Sequence, residues 1–350
     1  DDVFKEDPSV NAFEEEVARL SGCEHGVVVS NGTAALQIAL IVSGVLAGDE
    51  VLMPALTFVA TANATSHLGA VPHFVDSAHD TMGICPASLR AHLEEIAEVK
   101  SGVTWNSTTG RRIAAIVPVH VFGCPVNMNA LKSVISDWPM AVVEDAAESL
   151  GSYYHKNPCG SLGGIAAISF NGNKIITTGG GGAIVTNDLT LAKRAKHLTT
   201  TAKLKHKWAF IHDDVGYNYR MPNLNAALGV AQLEQLGDRL KQKQLLFDAY
   251  AKAFNGLVGA KLFTAPEGSK TNNWLVTLML ERDKADQRDS LLESLNMANV
   301  TTRPIWTLMH KLPMYVGCPR ADLTTAIDLE ARVLNIPSSA QLGVLQENVA

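Results

Sequence analysis

The chain has 350 residues, 47% of them hydrophobic and 18% charged, which is enough apolar material for one large or two ordinary domains and too much for a disordered chain. With 29 Lys and Arg against 35 Asp and Glu, the formal charge of −6 gives no general attraction for polyanions. It argues against nucleic-acid binding as the main task, while a local basic site for a phosphate ester stays open. The five cysteines, at positions 23, 85, 124, 159 and 318, are odd in number and never in a Cys-x-x-Cys pair. They suggest neither a disulfide framework nor a zinc site or other metal site, and a reducing cytoplasmic compartment is expected.

The opening DDVFKEDPSV is acidic and polar, unlike a signal peptide, and the missing initial Met leaves a native leading segment open. Strands are predicted at 26–30, 50–54, 71–76, 113–122, 140–146, 165–170 and 182–186, several of them apolar throughout, as strands covered on both faces are. Helices are predicted between them at 33–47, 58–68, 86–99 and 127–137, and the polar stretch 101–112 reads as an exposed loop. The apolar run 33–48 is broken by Gln37 and Ser43, shorter than the roughly 20 residues of a membrane span, and fits a buried core helix better. This alternation predicts an α/β fold around a mostly parallel sheet. After about residue 223 the pattern changes. A helical periodicity runs over 224–254, punctuated at Gly237, followed by a strand at 272–280, a helix near 285–298, a strand entering 300–306 and a helix near 322–334. These elements suggest a smaller α+β domain, with a division into residues 1–235 and 236–350.

Four segments could carry chemistry. In SNGTAAL (30–36) a strand runs into a helix start, where free N–H groups and the helix dipole favour an anion and Gly32 allows close approach; the plainer reading is an N-cap by Asn31 or Thr33. In VVEDAAES (142–149) the acids Glu144 and Asp145 end an apolar strand, at the sheet edge where open α/β folds bind ligands. In SFNGNKIITTGGGGAIVT (169–186) the four glycines fit neither a Walker loop nor a dinucleotide fingerprint, because no Gly-Lys-Ser/Thr follows and the next element is a strand. They read instead as a place where backbone passes close to something bulky. Within that segment Lys174 is the candidate amine; among apolar neighbours a lysine is activated towards a carbonyl, whereas an ordinary lysine is a solvated charge. In GYNYRMPNLNAALG (216–229) aromatic, amide and Arg side chains precede a helix, as in a ligand- or subunit-contacting loop. An anion-binding helix start, Phe58, Asp145 and Lys174 are together the parts that hold pyridoxal 5'-phosphate: donors for its phosphate, an aromatic face for its ring, a carboxylate for its pyridinium nitrogen and a lysine for its aldehyde.

At these residues the sequence resembles the DegT/DnrJ/EryC1/StrS family of nucleotide-sugar aminotransferases. The resemblance rests on NGTAAL, DEVLMPALTFVATANA, VEDAAES, SFNGNK, TTGGGGAIVT, GYNYRMPNLNAALG and TRPIW with His310 beyond, in that order over nearly the whole chain. It implies the type I pyridoxal phosphate aminotransferase fold, with a large domain around a mostly parallel seven-stranded sheet and a smaller C-terminal α+β domain. It also implies residue roles. Lys174 holds the cofactor as a Schiff base and then moves the proton. Asp145 pairs with the ring nitrogen, Phe58 and Ala147 cover the two ring faces, and Gly32, Thr33 and Ser169 meet the phosphate. Glu148 lies near the ring oxygen, and Asn218 reaches the phosphate of a neighbouring subunit, which implies a homodimer with shared active sites. Tyr217, Arg220, Arg303, Trp306 and His310 are candidates around the sugar or donor carboxylate. Two positions depart from the family pattern: Gly180 replaces a frequent Glu, and Asn171 a frequent His.

A lysine at 174 also distinguishes aminotransferases from the family's dehydrases, which have His there. The run ALTFVATANATSHLGAVPHFVD with NGNKIITTGGGGA resembles the branch making 4-amino-4,6-dideoxy sugars of the bacillosamine and legionaminic-acid type. The implied reaction moves the amino group of L-glutamate to the 4-keto carbon of a UDP-linked 2-acetamido-2,6-dideoxy sugar. Alternatives left open are a GDP-perosamine or 3-amino-sugar synthase, an enzyme acting on a free inositol ketone, and a pyridoxal phosphate-binding sensor without catalysis.

Overall fold

The structure is a computed structural model and describes residues 8–347. Of the acidic opening read over positions 1–10, residues 1–7 lie outside them. Seven strands build the main sheet: β1 (His25–Val29), β2 (Glu50–Pro54), β3 (Val71–Val75), β4 (Ile113–Ile116), β5 (Ala141–Asp145), β6 (Ile165–Ser169) and β7 (Gly182–Thr186). Their order is β1-β7-β6-β5-β4-β2-β3. All neighbours run parallel except β7, which is antiparallel to both β1 and β6. Strands β2, β6 and β7 are buried at every position, which accounts for their largely apolar sequences, with polar residues only at the ends (Glu50, Ser169 and Thr186): helices cover both faces, so no residue is left to face water.

The covering helices are α1 (Pro8–Leu20), α2 (Gly32–Val42), α3 (Val59–His67), α4 (Pro86–Ile96), α5 (Met128–Ile135) and α6 (Leu189–Thr199). In α2 every residue from Ala34 to Leu40 is buried, so the run that approaches membrane-span hydropathy is a core helix. Among the described residues no helix is long and apolar enough to cross a membrane. The first helix and α6 were absent from the sequence reading. Part of the expected loop 101–112 is a strand: Val103–Asn106 pairs antiparallel with Ala97–Lys100, with Thr104 and Asn106 buried.

The expected long helix is two, α7 (Asn223–Glu234) and α8 (Leu236–Ala253), and the break falls at Gln235 rather than Gly237. Beyond them lies a second, antiparallel sheet, β8 (Ala260–Leu262), β9 (Val276–Leu280), β10 (Arg303–Pro304) and β11 (Val333–Ile336), ordered β8-β9-β11-β10. With it come α9 (Arg288–Met297), α10 (Thr324–Arg332) and α11 (Ala340–Glu347). The expected strand at 300–306 shortens to Arg303–Pro304, while β11 and α11 are additions.

Candidate active site

The carboxyl ends of β5 and β6, the start of α2 and the loop carrying Lys174 converge on one edge of the main sheet, where open α/β folds form their ligand crevice. Asn31 caps α2: its Oδ1 accepts the Ala34 N–H at 2.8 Å, and the first-turn N–H groups of Gly32 and Thr33 have no partner within the helix. A Cβ on Gly32 would stand 2.9 Å from Ser169 Cβ, and one on Gly182 would stand 2.6 Å from the Asn31 carbonyl. Only glycine lets the helix start, the end of β6 and the start of β7 meet so closely. The glycine run thus does what its sequence suggested, and the bulky neighbour is the turn at Asn31. At Gly180, by contrast, a Cβ would meet nothing within 4 Å, so backbone crowding does not require glycine there.

Glu144 and Asp145, the two acids at the end of β5, part ways because alternate strand residues face opposite sides. Glu144 is wholly buried against His120 Nε2 at 2.9 Å and accepts the N–H groups of Gly160, at 3.0 Å, and Gly163. Asp145 faces the site. Its Oδ2 accepts the Thr61 hydroxyl at 2.7 Å and its Oδ1 the Ala147 N–H at 3.2 Å. Thr61 in turn is 2.9 Å from the Thr57 hydroxyl. Burial pushes the Asp145 carboxyl up, against those two hydrogen bonds and the positive charge of Lys174. Among the described residues no cation lies within ion-pairing distance of it. A buried carboxylate is costly without a positive partner, and a protonated ring nitrogen would supply one.

The sequence sets Lys174 among apolar neighbours, but the structure does not. Ile175 and Ile176 turn into the core, while Lys174 Nζ lies 3.4 Å from Glu148 Oε1 and 4.0 Å from the centroid of the Trp274 ring. Glu148 is 5% exposed; burial pushes its carboxyl up to about 7, opposed by Lys174 and by the Phe122 N–H, which donates to Oε2 at 2.9 Å. Phe122 has a left-handed backbone, φ 55 and ψ 21, unusual for a residue with a Cβ, and that turn aims its N–H at Glu148.

Aromatic rings form one side of the site. Phe58, half-exposed where α3 begins, lies 6.2 Å from Trp306; Trp306 lies 4.8 Å from Phe122, and Phe122 lies 6.5 Å from Trp274. His310 sits on a short turn whose Met309 N–H donates to Ala55, on the loop leading to Phe58. Among the described residues its Nδ1 is buried without a hydrogen-bond partner, and burial, then Arg320 and Lys311, pushes the imidazole down. The 217–220 stretch runs beside the helix-start turn, Ser30 N–H donating to the Tyr219 carbonyl at 2.8 Å. There Tyr217 stacks on Tyr219, and the exposed Asn218 accepts from Arg220 Nε at 3.2 Å. Arg303 is not drawn into the site: exposed on β10, it donates to Asn296 and to the Thr302 carbonyl. Sequence reasoning missed Thr61, Phe122 and Trp274. Thr61 follows Phe58 within one helical turn and could have been suspected; nothing local marks Trp274.

The profile of the DegT/DnrJ/EryC1/StrS aminotransferase family matches residues 1–349. The chain belongs to this family. It is a pyridoxal phosphate-dependent aminotransferase with a type I fold, as the resemblance implied. An Escherichia coli GDP-perosamine synthase is 35% identical over 333 residues, 95% of this chain and 85% of that protein. Among solved structures, a family aminotransferase from Brucella abortus superimposes with TM-score 0.86 at 26% identity, covering 98% of this chain and 88% of its own. DesI, solved in the presence of its TDP-sugar product, gives 0.84 at 29% identity, covering 99% and 83%.

Proposed function

We propose that this chain transfers the amino group of L-glutamate to the keto carbon of a nucleotide-linked 4-keto-6-deoxy sugar, yielding 2-oxoglutarate and a 4-amino sugar for surface-polysaccharide or glycan synthesis. The observation that carries this reading is the convergence of Lys174, Asp145 and Glu148 on one sheet edge, beside a helix start with free N–H groups. These residues fit pyridoxal phosphate. Gly32, Thr33 and Ser169 would meet its phosphate, Asp145 its ring nitrogen, Glu148 its ring oxygen and Lys174 its aldehyde, with Phe58 and Ala147 flanking the ring. Once bound, the cofactor supplies an electron sink for a carbanion at the donor's α-carbon.

The protein's own groups do the rest. Asp145, fixed by Thr61 and Ala147, stays oriented as an anion and stabilises positive charge opposite it. Lys174 Nζ takes up the proton leaving the donor α-carbon and holds it between the two halves of the transfer. One site serves donor and acceptor in turn, so ping-pong kinetics follow. Phe58, Trp306 and His310 line the approach to the site, with Tyr217 and Arg220 beside the phosphate turn; these residues would meet the sugar or the donor carboxylate.

The working unit in this reading is a cytoplasmic homodimer in which Asn218 reaches the partner's phosphate site. Exposed Trp208, Phe210, Val215 and Leu224, close to Asn218 in sequence, support a second copy covering this face. Residues 1–235 form the cofactor-binding part and 236–350 the smaller part. For the acceptor, a UDP-linked 2-acetamido-2,6-dideoxy sugar is the first candidate. The likeness to the E. coli GDP-perosamine synthase favours a GDP-linked sugar as the second reading.

The test is the visible absorbance of the purified holoprotein. Glutamate should bleach it, and the correct keto sugar should restore it; UDP- and GDP-linked 4-keto sugars tried in parallel separate the two readings. No bleaching with glutamate would leave a cofactor-binding sensor as the better account.

A further inference from the structure

Trp274 lies just before β9, and its contacts lead back to the site from the smaller sheet. Its indole N–H donates to the carbonyl of Asn173, the residue before Lys174, at 2.7 Å, and its ring face lies 4.0 Å from Lys174 Nζ. The ring is held from behind. The Trp274 N–H donates to Asn272 Oδ1 at 2.9 Å, and the Trp274 carbonyl accepts from buried Lys243 Nζ at 2.8 Å. Asn272 is itself fastened to the main sheet's loops. Its Nδ2 donates to the Glu148 and Leu150 carbonyls at 2.8 and 2.9 Å, and its N–H donates to Ser152 Oγ at 2.9 Å. One short segment therefore fixes both walls around the amine, the Glu148 carboxylate and the indole face.

We propose that Trp274 is a positioning residue for Lys174: its ring and the Glu148 carboxylate form a cradle for the lysine ammonium while the amine carries the proton between the two halves of amino transfer. This rests on the reading of Lys174 as the proton carrier. The physical reason is charge placement. When Nζ takes a proton from the donor carbon, a positive charge appears in a largely dry site. Glu148 offers a negative charge on one side and the indole the negative face of its quadrupole on the other. The bond from the indole N–H to Asn173 fixes the backbone from which the lysine extends, so the amine returns to the same place each time. Indole is the aromatic face that holds a cation best, and unlike the phenyl rings of Phe58 and Phe122 it adds a hydrogen-bond donor at its edge.

The test compares Trp274→Phe, which keeps a ring face but loses the N–H, with Trp274→Leu, which loses both. In the holoenzyme, loss of visible absorbance is followed in a single turnover with ordinary and with α-deuterated glutamate. Trp274→Leu should slow the bleaching by roughly 2- to 30-fold, the span from an exposed to a desolvated cation–π contact. It should also raise the deuterium isotope effect and leave the affinity for glutamate near wild type, and Trp274→Phe should recover part of the loss. A second readout needs no turnover. In cofactor-stripped protein, Lys174 should be acetylated by acetic anhydride faster in Trp274→Leu than in wild type, as read by peptide mapping. A wild-type isotope effect and wild-type labelling in the Leu variant overturn the cradle, provided that Lys174→Ala is colourless and inactive; the reading of Lys174 then stands. If Trp274→Leu does not accumulate as folded protein, Trp274→Phe decides on the same two measurements, with intermediate values expected and wild-type values overturning the cradle. A Lys174→Ala protein that keeps its colour and turnover removes the reading of Lys174 and this inference together.

Discussion

Two buried carboxylates stand at opposite edges of the same sheet. Glu50 begins β2, at the amino edge; Asp145 ends β5, at the carboxyl edge. Glu50 is surrounded by donors. His73 Nδ1 and Asn106 Nδ2 reach Oε2, both at 2.8 Å, Thr109 Oγ1 reaches Oε1, and the Arg111 guanidinium lies 3.7 Å away. Burial alone would push the carboxyl up, but those hydrogen bonds and His73 outweigh it and hold the carboxyl below its ordinary value. Asp145 has two donors, and burial dominates. The contrast separates structure from function: the first carboxylate is fully satisfied by the protein, while the second is kept short of positive charge at the place where a cofactor would bring it.

This contrast can be broken by experiment. The largest effect belongs to the group beside Asp145. Lys174→Ala should lower turnover on the order of 10⁴-fold or more and abolish the visible band, measured by coupled assay and absorbance. Asp145→Asn should lower kcat by roughly 10²-fold while leaving the melting temperature of cofactor-stripped protein unchanged or slightly raised, because the amide can still accept from Thr61 and removes a buried charge. Glu50→Gln should do the reverse. It should cost about 2 kcal/mol in denaturant unfolding and leave kcat/KM near wild type.

The pH dependence follows with opposite signs. The folded-state value of Glu50 is depressed, so its stabilisation is present above the unfolded value of 4.5 and is lost as pH falls through the lower folded value. Asp145 is raised, so in cofactor-free protein its burial cost is present above its folded value and is relieved as pH falls through it. Acid unfolding curves of the two amide variants against wild type read both signs. The smallest effect should come from Thr61→Val. It removes one donor to Asp145 for about 1 kcal/mol of stability and a several-fold loss in kcat, read by thermal melts and steady-state kinetics.

The elements that the sequence made legible are those whose pattern is dictated by burial. All seven strands of the main sheet were readable because two-sided burial leaves an apolar run with turn residues at each end. Helix α1 was missed where the acidic run Glu14–Glu16 masks a face on which only Phe13, Val17 and Ala18 are buried. The short strand 103–106 was missed because its buried residues, Thr104 and Asn106, are polar, and their side-chain donors find acceptors far off in sequence, at Pro139 and Glu50. The candidate site divides the same way. Lys174, Asp145 and Gly32 sit in local motifs with a chemical meaning. Trp274 meets Lys174 only because Asn272 ties the smaller sheet to the loop after β5. No window of sequence contains both residues, so no periodicity could place one over the other.

The antiparallel strand β7 carries a temporal consequence. β1 finds its ladder partner in the sheet only at Gly182–Thr186, and the turn after it, with Asn31 and Gly32, is packed by Gly182. A nascent chain emerging from the ribosome would therefore hold an unfinished edge strand and a half-built phosphate grip until residue 186 is free. Such long-range pairing slows folding and exposes strand edges meanwhile. Closure of this edge is then a late event of biogenesis, so a chain truncated just before β7 would keep Lys174 but lack the strand that packs the turn at Asn31.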